Sequence, residues 1–217
     1  KSWQRAQSNP SGIEIQRNHS SSGSPPSTPI GATRKARSNL RTALNLSEFP
    51  PYLPDHPKIR KELALYYDEV SRFDKHIGQI MVELESQNAL ENTVIIYVSD
   101  NGMPFPRAKC TLYDSGIHTP LIVRWPKNIP AGSVQTGLAS SIDIAPTLMA
   151  LAGIPQDTME GENIIEMLRD PNTQLRERIY AEANWHDFEK FTRSVRSNQF
   201  KLIRNYYWDT PLWNSVD

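Results

Sequence analysis

Apolar side chains in residues 58–88 recur at spacings of three and four positions, with charged residues between them. This spacing places the apolar side chains on one face of a helix and predicts a long amphipathic α-helix. Gly78 is the only Gly or Pro in the stretch. The apolar positions are Ile59, Leu63, Tyr66, Tyr67, Val70, Phe73, Ile77, Ile80, Met81 and Leu84.

Two apolar runs have the character of strands. Residues 93–98 form a continuous run rich in β-branched side chains, which predicts a strand buried on both faces of a sheet. Residues 121–125 predict a second strand, which Pro126 ends. We expect further strands at residues 178–183, 192–197 and 199–205.

A shorter helix is predicted at residues 143–153. Asp143 stands near its start, Pro146 lies in its first turn and Gly153 ends it, which is the usual order of these residue types at helix termini. Helices and strands alternate along the chain, so the predicted class is α/β with a mainly buried sheet.

The first 48 residues have a different composition. Residues 1–45 carry seven Lys or Arg and one acidic residue, Glu14, together with nine Ser and four Pro. Their apolar residues follow neither the helical nor the strand period, so no face is available for burial. We therefore expect residues 1–48 to form a disordered or aberrant basic tail, and residues 49–217 to form the folded part. A tail that binds polyanions is the functional alternative.

The whole chain of 217 residues contains 24 Lys or Arg, 24 Asp or Glu and one Cys. Its formal charge of zero gives no indication of a nucleic-acid partner. One Cys excludes an internal disulfide and a Cys-rich zinc module. The longest apolar runs are far shorter than the roughly 20 residues that cross a bilayer, so no membrane span is expected. Compartment and oligomeric state stay open.

The strongest candidate for chemistry directly follows the predicted strand at 93–98. Asp100 offers a carboxylate and Asn101 an amide oxygen, which are donors that suit Ca²⁺ or Mg²⁺. Polar residues at the carboxyl end of a strand lie where α/β sheets bind ligands. Gly102 allows a sharp turn. An ordinary turn is the alternative, since Asp, Asn and Gly are also common turn residues.

The residues around this turn resemble the sulfatase family, and most closely its heparan N-sulfatase (sulfamidase) members. The resemblance covers about residues 49–214 and implies an alkaline-phosphatase/sulfatase-like mixed sheet flanked by helices, present here only as its C-terminal part. It rests on Tyr52-Leu53-Pro54-Asp55, Ser99-Asp100-Asn101-Gly102-Met103-Pro104-Phe105-Pro106, Lys109, Tyr113-Asp114-Ser115-Gly116, Asp143-Ile144-Ala145-Pro146-Thr147 and Ala181-Glu182-Ala183-Asn184-Trp185-His186.

The resemblance implies a role for four residues. Asp100 and Asn101 would bind a divalent cation, Ca²⁺ or Mg²⁺. Lys109 would bind a sulfate oxygen and stabilise charge on the departing group, as a catalytic and substrate-binding residue. His186 would contact the sulfated sugar substrate. A solvated loop position for Lys109 and a structural position for His186 stay open, and Arg107 is a weaker candidate for the role of Lys109.

Other features of the family are absent from this sequence. Formylglycine, the nucleophile that the resemblance implies, forms at Cys/Ser-x-Pro-x-Arg, whereas Cys110 is followed by Thr111-Leu112-Tyr113. The family's second pair of metal-binding Asp residues is missing too. We therefore expect a sulfuric ester or sulfamate hydrolase family member that is inactive alone. The alternatives are a phosphoesterase of the alkaline-phosphatase-like group and a non-catalytic module that binds sulfated glycans.

Overall fold

The computed structural model describes Ile13–Glu14 and residues 49–156, 158–186, 188–207 and 209. The chain divides into two compact units. One unit contains residues 19–92 and the other contains residues 1–18 together with residues 93–217.

The described part of the first unit is dominated by one long helix, α1 (Pro57–Ser86), followed by a 3₁₀ turn at Leu90–Asn92. His56 caps the helix, because its Nδ1 accepts a hydrogen bond from the backbone N–H of Lys58 at 3.2 Å. Pro57 occupies the first turn, where its missing N–H does no harm. The helix ends where Asn88 adopts a left-handed φ of 54°. The helix predicted at residues 58–88 is confirmed to within two residues.

The burial of α1 changes along its length. Leu63 and Ala64 are completely buried. Farther along the helix, exposure reaches 50% at Phe73, 59% at Ile80 and 66% at Val82. Among the described residues, no helix is both long enough and apolar enough to cross a membrane.

The second unit contains a mixed four-stranded sheet. Its strands are β1 (Ile13–Glu14), β2 (Ile95–Val98), β3 (Leu121–Arg124) and β4 (Val134–Gln135), in the order β2-β3-β1-β4. β1 runs parallel to β3 and antiparallel to β4, whereas β2 and β3 are antiparallel, with Val98 opposite Leu121. The predicted α/β class is confirmed.

The burial predicted for β2 is wrong. Its residues are half-buried or exposed, whereas Leu121, Ile122 and Val123 of β3 are buried. The physical reason is position: β2 ends the strand order and pairs only with β3 in the described sheet.

Strand β1 falls inside the segment predicted as a tail. Its two residues pair with Leu121 and Ile122 of β3 on one side and with β4 on the other. The rest of that segment, residues 1–12 and 15–48, lies outside the described residues. For these residues, the disordered or aberrant tail stays a prediction.

The core of this unit forms around β3. Leu121 and Val123 pack with Ile164, Met167 and Leu168, which lie in or directly before the helix Ile165–Arg169. Half-buried Val94, Ile96, Trp125 and Leu175 extend the cluster. Burial of these side chains fixes β3 as the central apolar strand of the unit.

The described residues of this unit form three helices: α2 (Asp114–Ile117), α3 (Ile144–Leu151) and α4 (Ile165–Arg169). A 3₁₀ turn at Ser141–Asp143 leads into α3, and left-handed Gly153 follows it with a φ of 70°. The helix predicted at residues 143–153 is therefore confirmed, with its first residue in the 3₁₀ turn.

A separate antiparallel sheet follows, formed by β5 (Ile179–Trp185), β6 (Glu189–Arg196) and β7 (Lys201–Asn205). All three predicted strands are confirmed, and each differs from its predicted bounds by a few residues. Alternate residues of β6 are buried, namely Lys190, Thr192 and Ser194. This alternation defines an inner face of the sheet that is polar.

Candidate functional site

The polar turn after β2 is held by its own side chains. Ser99 Oγ donates to the carbonyl oxygen of Asn101 at 2.8 Å. Asp100 Oδ1 accepts from the backbone N–H of Asn101 at 2.9 Å and from its side-chain Nδ2 at 2.6 Å. Asp100 is exposed and Asn101 is half-buried. The two candidate metal ligands therefore lie side by side, and one carboxylate oxygen already binds the neighbouring amide.

Gly102 joins this turn to the end of the following loop. Its N–H donates to the carbonyl oxygen of Gly116 at 2.8 Å. A Cβ at position 102 would lie 1.8 Å from the carbonyl oxygen of Ser115, and no side chain can be accommodated at that distance. Glycine is thus required here by the close approach of two backbone segments.

The loop of residues 103–113 folds back on its own start. The backbone N–H of Lys109 donates to the carbonyl oxygen of Met103 at 3.1 Å. Three apolar residues of the loop itself, Phe105, Ala108 and Leu112, are buried. Because Met103 comes two residues after Asn101, this contact brings the backbone of Lys109 next to the turn that carries Asp100 and Asn101.

Arg107 and Lys109 have different surroundings. The guanidinium of Arg107 lies 4.6 Å from the centre of the Tyr113 ring, and its carbonyl oxygen accepts from Ser115 Oγ. The ammonium of half-buried Lys109 has no hydrogen bond or ion pair within the described part of the chain. Neither charged group is paired with a carboxylate within the described ranges; the two cations differ in that Arg107 is exposed and lies over the Tyr113 ring, whereas Lys109 is half-buried.

Charged side chains attach the second sheet to Asp114, the residue that directly follows this loop and begins α2. Arg196 Nη1 of β6 donates to both carboxylate oxygens of Asp114, at 2.8 and 2.6 Å, and Lys201 Nζ of β7 donates to Asp114 Oδ1 at 2.9 Å. Burial tends to raise the pKa of Asp114, but the bonds to Lys201 and Arg196 outweigh it and hold this pKa below its usual value.

Lys190, which was not predicted from the sequence, makes a further contact to the same loop. Its ammonium donates to the carbonyl oxygen of Cys110 at 2.9 Å. The available signal is its spacing, because Lys190, Thr192 and Ser194 occupy alternate positions and form one polar side of a strand. That pattern indicates a polar interface, although the loop that it meets is about 80 residues away in the sequence.

Two of the chain's five histidines, His186 and His118, lie near these elements in exposed positions. His186 follows β5 in the turn to β6, where its N–H donates to the carbonyl oxygen of Phe188 at 3.3 Å. His118 follows α2, and its N–H donates to the carbonyl oxygen of Asp114 at 2.8 Å. His186 thus shares a hairpin with Lys190, four residues farther along, and its substrate contact stays a prediction.

The described residues fit only part of a calcium site. Asp100 and Asn101 supply donors of the right chemical type, but Ca²⁺ takes six to eight oxygen ligands. Within the described ranges, no cluster of three or more His, Cys, Asp or Glu side chains is arranged to hold a metal ion. The pair can contribute to a metal site but does not form one.

Comparison with known proteins identifies the family. A family model described as "Sulfatase" matches residues 7–154. The chain belongs to the sulfatase family. A model described as "N-sulphoglucosamine sulphohydrolase, C-terminal" matches residues 107–217 of this sulfatase chain. The family predicted from the turn and loop is confirmed, and the first match begins inside the segment predicted as a tail.

Individual relatives of this chain are longer proteins. An ulvan-active sulfatase of Formosa agariphila is 36% identical over 170 residues, which cover 77% of this chain and 28% of that protein. The human N-sulphoglucosamine sulphohydrolase is 28% identical over 176 residues, covering 75% of this chain and 34% of that protein. The chain therefore spans about a third of the length of these curated relatives.

A solved structure is also similar. The crystal structure of the PsFucS1 sulfatase from Pseudoalteromonas sp. is 27% identical, with a TM-score of 0.48. The match covers 66% of this chain and 30% of that one.

Proposed function

We propose that this chain is the C-terminal part of a hydrolase that removes sulfate from sulfated saccharides, as a sulfuric ester or a sulfamate. The observation that carries the proposal is the loop of Lys109, a half-buried residue whose ammonium has no hydrogen-bond or ion-pair partner within the described ranges and whose backbone is bonded to Met103, beside Asp100 and Asn101. Family membership and the sulfated-sugar enzymes among the relatives support it.

In this proposal Lys109 binds a sulfate oxygen. When a sulfate oxygen contacts the ammonium directly, water is excluded from between the two charges, so their attraction is stronger than it would be in bulk water. As the bond to the sugar breaks, negative charge develops on the departing group, and a cation already in place stabilises that charge. His186 would contact the saccharide from the hairpin between β5 and β6.

Asp100 and Asn101 would supply two oxygen ligands to a divalent cation, Ca²⁺ or Mg²⁺. When bound, such a cation offsets the negative charge of the sulfate. Its remaining ligands, and the formylglycine nucleophile, would have to come from outside the sequence of this chain, because neither the Cys/Ser-x-Pro-x-Arg motif nor a further cluster of ligands in the described ranges is present. The chain alone is therefore proposed to be inactive.

The first test uses the chain itself. Incubation with N-sulfated and O-sulfated glucosamine, in the presence of Ca²⁺, should release no sulfate detectable by ion chromatography. Release of sulfate that is lost in Asp100→Ala would show that the chain is a complete enzyme and would contradict the proposed inactivity.

The second test restores the rest of the domain. In the ulvan-active sulfatase, the matching region would be replaced by this chain, and sulfate release from ulvan would be measured. Lys109→Ala should lower kcat about 100-fold, as expected when a donor to a developing charge is removed. Lys127→Ala, which removes an exposed Lys after β3, serves as the control and should leave kcat within twofold.

The same chimera distinguishes sulfate hydrolysis from a second candidate function. The small number of metal donors in the described residues also suits a module that binds sulfated glycans without cleaving them. A chimera that folds and binds heparin but releases no sulfate from any sulfated sugar would favour this binding module. Full activity in the Lys109→Ala chimera would instead show that Lys109 has no role in the reaction.

A further inference from the structure

Lys190 is buried in an unusual way for a lysine. It lies on the inner face of β6 with 8% of its surface exposed, and its ammonium donates to the carbonyl oxygen of Cys110 at 2.9 Å. Lysine is seldom buried to this extent unless its charge is engaged. The contact joins residues 80 positions apart in the sequence, so it fixes the second sheet against the loop of residues 103–113.

Cys110 has a backbone conformation that needs support. Its φ of 68° lies in the left-handed region, which is unfavourable for a residue with a Cβ. A left-handed residue other than glycine or asparagine is retained where surrounding contacts determine its conformation. The bond from Lys190 to the Cys110 carbonyl oxygen is such a contact, because it fixes the direction of the peptide group that follows.

The backbone is therefore held by a hydrogen bond at Lys109 and by another at the next residue, Cys110. Its own N–H donates to the carbonyl oxygen of Met103 at 3.1 Å, and the carbonyl group of the next residue, Cys110, accepts from Lys190. The first bond holds the peptide group that precedes Lys109, and the second holds the peptide group one residue beyond the one that follows it. The two bonds thus limit the movement of the backbone from which the Lys109 side chain extends.

We propose that Lys190 is a positioning residue that holds the loop of Lys109 in its anion-binding geometry. The sulfate-binding part of this inference rests on the proposed function of Lys109, whereas the fixing of the Cys110 backbone does not. Because the bond to Cys110 comes from Lys190 of β6, the position of the loop depends on the second sheet as well as on β2.

Cys110 provides an internal reporter, because it is the only cysteine in the chain and is half-buried. The reaction rate of its thiol with Ellman's reagent would be measured in the unmodified chain and in Lys190→Met. Loss of the bond should free the Cys110 backbone and raise the rate at least fivefold. An unchanged rate in folded Lys190→Met, with folding checked by circular dichroism, would overturn the proposal.

Two variants separate positioning from general loss of stability. Lys190→Arg keeps a cationic donor and should return the thiol reaction rate to within twofold of the original. Arg193→Met changes the same strand on its opposite face, where Arg193 pairs with Glu182 at 3.2 Å, and should also stay within twofold. If Lys190→Met does not fold, a rate in Lys190→Arg as fast as that of the urea-unfolded chain would overturn the proposal.

The effect on anion binding would be followed by NMR, with inorganic sulfate as the probe and the backbone amide signal of Lys109 as the readout. Lys190→Met should weaken the sulfate response about tenfold, and Lys190→Arg should restore it to within threefold. In Cys110→Gly, the left-handed conformation is no longer unfavourable. Adding Lys190→Met to Cys110→Gly should therefore weaken sulfate binding less than twofold.

The two proposals fail in different ways. If Lys109→Ala binds sulfate as tightly as the unmodified chain, the proposed role of Lys109 is wrong, and the thiol rates still decide whether Lys190 fixes the loop. If Lys109→Ala abolishes the sulfate response but Lys190→Met leaves both the response and the thiol rate unchanged, the role of Lys109 stands and that of Lys190 is wrong.

Discussion

The region between β4 and α4 and the helix α1 are stabilised by different kinds of interaction. In the first, the carboxylate of Asp143 is completely buried and accepts three hydrogen bonds: from the N–H of Ser140 at 2.7 Å, from the N–H of Glu162 at 2.9 Å and from Arg176 Nη2 at 2.6 Å. Gln135 is buried as well, and it bridges the backbone of three later residues and that of Gly137.

Helix α1 begins with a local polar contact. Arg60, in its first turn, donates to both carboxylate oxygens of Asp55, at 2.5 and 2.7 Å, just before the helix. Its apolar stripe is buried at Leu63 but becomes exposed toward Phe73 and Ile80. An amphipathic pattern gives a helix a face for packing but does not determine what packs there.

Stability is expected to depend more on the β4–α4 region than on α1. Buried polar groups in the β4–α4 region are satisfied by partners distant in sequence, so removing one leaves others without a partner in a low-dielectric environment. An exposed stretch of helix contributes mainly through its intrinsic propensity. Substitutions in the first region should therefore have larger effects on the free energy of unfolding than substitutions along α1.

The largest effect is expected for Asp143→Ala. It leaves the guanidinium of Arg176 without its buried carboxylate partner, and removing one member of a buried ion pair typically destabilises a protein by about 3–5 kcal/mol. Urea denaturation followed by circular dichroism would measure the free energy of unfolding. Glu166→Ala breaks an exposed ion pair with Arg169 and serves as the control, with an expected loss below about 0.5 kcal/mol. Equal losses in the free energy of unfolding would contradict the expected difference between the buried and the exposed ion pair.

A smaller loss is expected for Gln135→Ala. Its Nε2 donates to the carbonyl oxygens of Met167 at 2.9 Å and Thr173 at 3.1 Å, and its Oε1 accepts from the N–H of Gly137 at 2.7 Å. Removal leaves these backbone groups without their partner and should lower the free energy of unfolding by about 2–3 kcal/mol. Gln87→Ala, which loses one exposed bond to Glu83, is the matched control. A loss for Gln135→Ala as small as that of the control would show that water replaces the side chain.

The two regions also differ in how far their structure follows from sequence. The bounds of α1 could be predicted because its spacing of apolar residues and its capping residues are local. Asp143 could be placed at a helix start for the same reason. Its partner Arg176, 33 residues away, could not be predicted, because an ion pair between distant positions depends on how the chain folds and leaves no periodic signal.

The same distinction applies to the candidate site. Asp100, Asn101 and Lys109 lie within ten residues of one another and could be selected from a contiguous motif. Lys190 could not, since its contact with Cys110 joins two separate segments. The exposure of β2 was also missed, because an apolar run is the same in a central strand and in one at the end of the strand order.

An intermediate effect is expected for Asp114→Asn, which tests the attachment of the second sheet to the loop. The carboxylate is partly exposed and screened by solvent, so losing its charge should lower the free energy of unfolding by about 1 kcal/mol at pH 7. Because folding lowers the pKa of Asp114, its contribution is complete above the unfolded-state value of about 4 and is lost as the pH falls through the folded pKa.

The measurement for Asp114 is the free energy of unfolding between pH 3 and pH 7. The difference between Asp114→Asn and the unmodified chain should be constant from about pH 5 to pH 7 and should shrink below about pH 4. Asp170→Asn would be measured for comparison, because the hydrogen bonds of Asp170 go to its sequence neighbours Asn172 and Thr173 and not to a second sheet. A difference for Asp114→Asn that grows as the pH falls would contradict the assigned direction of the pKa.

The smallest effect, and the only stabilising one, is expected for Gly78→Ala in α1. A Cβ at Gly78 meets no atom within 4 Å, and Gly in a helix interior is less favourable than Ala by roughly 0.5–1 kcal/mol. Hydrogen exchange of the α1 amides would measure the gain as slower local opening. Gly102→Ala is the opposing control, since its Cβ would meet the Ser115 carbonyl oxygen at 1.8 Å and should prevent folding of the site turn. Faster exchange in Gly78→Ala would instead mean that another part of the protein packs closely against position 78. The exposed portion of α1 would then be a contact surface rather than a region stabilised by helix propensity alone.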